Sequence, residues 1–182
     1  YTEGFHPKPK MSFGPALGQR MEGQRELLEV HLEHAPQDPP ETVLARMNAN
    51  AVSGLQFLSM DILDASVPLL SRRLTHAIVA AYLPADGVNP LELENRAQQL
   101  MQAAEIPVTR HHADKEISFD AKSSLASLEM REENGHPVVV MRIRLLTTSQ
   151  IRPADVLQLL VPHIDPAQVR LVREGFELDP LL

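Results

Sequence analysis

The run His6-Pro7-Lys8-Pro9, framed by Gly4 and Gly14, sets the hardest limit on how the start of this chain can fold. Each proline fixes φ and biases the residue before it toward extended geometry, so residues 6–9 are a stiff, non-helical ribbon. Lys8 and Lys10 alternate along that ribbon and project together, with Lys8 on the side of His6. His6, Lys8 and Lys10 are therefore a candidate edge for a phosphate, a carboxylate or an acidic partner. The competing reading is an edge strand kept soluble by lysine and proline.

Downstream, Glu26 to Glu33 alternates. Leu28, Val30 and Leu32 point one way and Glu29, His31 and Glu33 the other, the period of a strand with one wet face. Asp38-Pro39-Pro40-Glu41 has the order of cap, proline and acid that opens a helix, with Val43, Leu44 and Met47 as its buried stripe. Leu55 to Leu63 reads as a returning strand, with Leu58, Met60 and Ile62 on one face.

Leu74 to Leu83 is a strongly apolar strand, and Asn89-Pro90-Leu91-Glu92 opens a second helix carrying Leu93, Ala97, Leu100, Met101 and Ala104 at helical spacing. Short strands are expected at Ile106–His112 and Glu116–Phe119, while Ser124–Arg131 fits either a strand or a helical turn. Asn134-Gly135 signals a hairpin into Pro137–Leu146. Arg152-Pro153 opens a last helix with Val156, Leu159 and Leu160 inward, and Val169–Leu178 closes as a strand interrupted by Gly175. From residue 73 onward this order is a split β-α-β/β-α-β plan with an inserted hairpin segment. The expected fold class is α+β, with two ferredoxin-like lobes of antiparallel sheet. Residues 1–63 are the first lobe, lacking a leading strand and helix, residues 64–72 a linker, and residues 73–182 the second lobe.

The chain has 182 residues with 43% hydrophobic, 23% charged and only 4% aromatic, so its core rests on aliphatic side chains. It contains no cysteine. Disulfides and a cysteine-ligated iron–sulfur cluster on this segment are thereby excluded. No run approaches the roughly 18 apolar residues of a membrane span, and the expected location is the cytoplasm. The net charge of −7 denies the molecule the global positive field of a non-specific nucleic-acid binder.

Arg142 and Arg144 share one face of their strand, and Arg152 follows closely at the start of the last helix. Open faces of ferredoxin-like sheets bind RNA, usually by stacking bases on exposed aromatics, and this strand offers arginine and valine instead. Ion pairs to Glu129, Glu132 or Glu133 across the hairpin account for the arginines equally well. Glu29, His31 and Glu33 share a strand face and have metal-ligand chemistry, against the plainer reading of a solvated face. His6 is a candidate proton shuttle as a histidine in a rigid setting, with no partner acid or nucleophile in view. No catalytic residue and no metal ligand is assigned.

The stretch Tyr1-Thr-Glu-Gly-Phe-His-Pro-Lys-Pro-Lys-Met-Ser-Phe-Gly-Pro-Ala-Leu17 resembles the signature of a bacterial family known as the radical-SAM-linked domain, itself uncharacterised. Weaker echoes run through Glu26–Val30, Lys115-Glu116-Ile117, Arg152-Pro153 and Arg173-Glu174. Members of that family are fused behind a radical-SAM enzyme module or accompany one as separate proteins. The resemblance implies a non-catalytic accessory or substrate-presenting module, with the iron–sulfur cluster and S-adenosylmethionine held only by the partner. It also implies a strand and helix ahead of Tyr1, so this chain is expected to be a fragment of a longer one. A second reading is an RNA-binding module acting in tRNA or rRNA modification or processing, through Lys8, Lys10, Arg142, Arg144 and Arg152. A third, a hydrolase or nuclease using His6, has the least behind it.

Overall fold

The computed structural model describes residues 10–112, 115–145 and 148–179. His6 and Lys8 lie outside them. The elements begin with strands β1 (Met11–Phe13), β2 (Met21–Gly23) and β3 (Leu28–Val30), then helices α1 (Pro40–Ala49) and α2 (Leu70–Arg73). Strand β4 (Leu74–Tyr82), helix α3 (Pro90–Gln102) and strands β5 (Pro107–His112) and β6 (Lys115–Asp120) follow. The chain continues through β7 (Leu125–Glu133), β8 (His136–Arg144), α4 (Pro153–Leu160) and β9 (Arg170–Leu178). The fold is mixed α+β, and its sheets are mainly antiparallel. Residues 10–14 and 27–73 form one compact unit; residues 15–26 and 74–179 form another.

The second unit is built on a five-stranded sheet in the order β2-β9-β4-β8-β7. β4 runs antiparallel to both β8 and β9, and β8 antiparallel to β7. Each crossover, β4-α3-β7 and β8-α4-β9, therefore joins parallel strands separated by one strand of the other crossover. That interleaving is the split βαβ arrangement. β5 and β6 pair only with each other, as a hairpin inserted between α3 and β7. β2 adds to the far edge, parallel to β9.

Local chemistry explains most of these elements. The Asn89 side chain accepts the Leu91 and Glu92 backbone N–H groups at the start of α3, with Pro90 in the first turn. Asn134 (φ 51°) and Gly135 (φ 79°) take the left-handed angles of a tight hairpin turn between β7 and β8. The core lies between the sheet and α3 and α4, where Leu93, Val139, Met141, Val156, Leu157 and Leu160 are buried. Leu157 takes the inward place expected for Leu159, which is 38% exposed.

In the first unit, β1 and β3 form a two-stranded antiparallel sheet beside α1 and α2. Two expectations fail here. Residues 55–63 form no strand, because no neighbouring strand is present among the described residues to supply a ladder. Asp38 does not cap α1; its carboxylate takes the Arg46 guanidinium, and Pro39 stands at the cap position.

Candidate functional site

The β1–β3 sheet is inside out. Across its ladder Met11 faces Val30 and Phe13 faces Leu28, so these four apolar side chains share one side. That side is the exposed one, with Phe13 63% and Met11 46% accessible. Ser12 and Glu29 occupy the covered side. There Glu29 Oε2 accepts the Leu70 N–H at 2.9 Å and lies 3.6 Å from the Arg73 guanidinium, while Oε1 meets His31 Nε2 at 3.0 Å. The strand thus keeps its expected alternation but has its wet and dry faces exchanged. Leu32, Val52, Leu55, Leu58, Ile62, Leu63 and Leu69 are exposed as well, and Leu70 is the one buried hydrophobic residue among the described residues of this unit. Glu29 and His31 pair with each other, and among the described residues no three His, Asp or Glu side chains are placed to hold a metal.

The predicted basic residues belong to different units. Lys10 belongs to the first unit, is exposed, and accepts the His31 N–H on its backbone carbonyl at 2.9 Å. Arg142 and Arg144 lie in the second unit on the sheet side shared with His76, Ile78 and Glu177. Arg142 is held by Glu177, donating from Nε at 2.7 Å and Nη2 at 2.6 Å, and not by the hairpin acids. Arg144 donates to the Ser123 carbonyl at 3.2 Å and remains exposed. The exposed Arg152 stands just ahead of α4, its backbone N–H donating to Asp155 at 2.7 Å. Ser124 Oγ accepts the Ile151 N–H at 2.8 Å, so Arg144 and Arg152 flank one Ser123–Ser124 turn.

Sequence reasoning passed over His76. It is 8% exposed, and Thr75 Oγ1 at 3.0 Å, Glu177 Oε2 at 3.2 Å and Arg142 Nη2 at 3.4 Å converge on its Nδ1. Its Nε2 is buried without a partner among the described residues. Burial, reinforced by Arg142 and Arg144 and opposed by Glu177, holds its pKa below the usual histidine value. Arg142 in turn holds the Glu177 carboxyl below its usual range. No local pattern marks His76; it reads as one more member of an apolar strand.

Arg173 links distant parts of the opening motif. Its buried guanidinium donates to the Pro15 carbonyl at 2.7 Å, the Ala16 carbonyl at 3.3 Å and both oxygens of Glu26, and it stacks over Phe176. One planar donor fork thus organises the turn that follows Gly14. Pro15, Ala16, Glu26 and Arg173 all belong to the segments that carry the family resemblance. The model of a family described as "Uncharacterized protein conserved in bacteria (DUF2344)" matches residues 1–153. The chain belongs to this family. No curated protein and no solved structure matches it. Within DUF2344 the described part of this chain contains no helix long and apolar enough to cross a membrane.

Proposed function

We propose that this chain is a non-catalytic accessory module that docks onto a radical-SAM iron–sulfur enzyme through the apolar surface of its first unit. The observation carrying the docking reading is the outward-facing set Met11, Phe13, Leu28 and Val30 on a sheet whose covered side is polar. A folded monomer rarely leaves a contiguous apolar patch in water, and one that does marks an interaction surface. The radical-SAM identity of the partner rests on the resemblance carried by residues 1–17. On this reading the cluster and S-adenosylmethionine belong to the partner.

A second reading, an RNA-binding module, draws on Arg144 and Arg152, which flank one turn and enter no ion pair among the described residues. One experiment separates the two. The chain is titrated with radical-SAM enzymes from the same organism and, in parallel, with RNA at low ionic strength. Docking predicts a complex with the enzyme that Phe13→Glu abolishes and Arg144→Ala leaves intact. A complex indifferent to Phe13→Glu would overturn the docking face. Salt-sensitive retention on RNA, lost in Arg144→Ala and without enzyme binding, would replace the first reading by the second.

A further inference from the structure

Resting on the docking reading, we propose that the partner adds a β-strand along residues 58–63. Leu58, Met60 and Ile62 alternate as a strand should, yet the segment joins no sheet among the described residues. No backbone N–H or carbonyl of residues 58–63 is hydrogen-bonded among the described residues. The segment is nevertheless held at both ends. At one end the Asn48 side-chain amide accepts the Phe57 N–H at 2.7 Å and donates to the Phe57 carbonyl at 2.9 Å. A side-chain amide that satisfies both main-chain groups of one residue does there what a neighbouring strand would do. At the other end the Asp64 carboxylate accepts the Ser66 N–H at 2.8 Å and the Asp64 carbonyl accepts the Val67 N–H at 3.0 Å. Six residues with open ladder positions lie between these ties.

Such a template suits an extended polypeptide, in which main-chain hydrogen bonds supply affinity and alternate side chains supply specificity. Eleven large apolar side chains of this unit are between 39% and 72% exposed. At roughly half exposure each, they expose on the order of 500 Å² of apolar surface. That matches the apolar share of one side of a standard interface of about 800 Å² per partner. Asp61 is exposed and enters no ion pair among the described residues, so the added strand carries lysine or arginine opposite it.

The test is hydrogen exchange on the whole chain, alone and with the radical-SAM enzyme of the docking experiment, together with an Ile62→Pro variant. Proline removes a ladder donor, and here it breaks no hydrogen bond among the described residues. The 58–63 amides should exchange freely alone and slow at least tenfold in the complex, while Ile62→Pro keeps the unfolding midpoint and binds at least tenfold more weakly. A complex with these amides unprotected, or wild-type binding by Ile62→Pro, overturns strand addition and leaves docking standing. Absence of any complex overturns docking itself.

Discussion

At the scale of single residues, the charged side chains are committed over distances that local sequence does not reveal. Arg142 meets Glu177, 35 residues away, because β4 brings β8 and β9 to its two sides. His76 is carried into the same cluster, and there the sign of its pH effect follows from its depressed pKa. As the pH falls below about 6.5, the unfolded chain binds a proton at this histidine before the folded chain does. Its contribution to stability is therefore complete above that pH and is lost as pH falls through the lower folded value. Urea midpoints should drop between pH 7.5 and pH 5.5, and His76→Gln should shrink that drop. An equal drop in the variant would show that His76 is not its source.

Among elements, strong local signals and actual structure coincide. Asn89-Pro90 opens α3 and Asn134-Gly135 turns β7 into β8, because a cap and a left-handed turn need only neighbouring residues. In α4 the tertiary environment chooses between adjacent leucines. Leu157 is fully buried and Leu159 is 38% exposed. Leu157→Ala should destabilise the chain by about 2–5 kcal/mol, as cavity formation in a packed core does, and Leu159→Ala by well under half as much. Equal losses in chemical denaturation would contradict the observed rotation of this helix. The plan of the second unit was thus legible in the periodicity of its strands and helices. The first unit was legible only in its alternation. Period two separates the faces of β3 but does not say which face is dry, and Glu29 turns inward because the Leu70 N–H and Arg73 await it there. Residues 55–63 carry a strand pattern, but a strand also needs a neighbour. The exposed apolar face was missed for the same reason: exposure is a property of packing, and His6 and Lys8, which the sequence put forward, fall outside the described residues.

For the whole molecule, the two units differ in how they meet water. The second buries aliphatic side chains between sheet and helices, in the manner of an ordinary domain. The first holds most of its large apolar side chains in the open. The docking proposal depends on that surface being covered when the chain works. Calorimetric titration with a radical-SAM enzyme from the same organism, the partner proposed above, repeated over a range of temperatures, measures the covering itself. Burying the exposed apolar side chains of the first unit, on the order of 500 Å², contributes a heat-capacity change near −0.2 kcal/mol/K, at about 0.45 cal/K/mol per Å². The account predicts binding with a clearly negative value that becomes smaller in magnitude when Leu28→Ser and Val30→Ser are combined. Binding with a heat-capacity change near zero, or one unaltered by that double substitution, would contradict it.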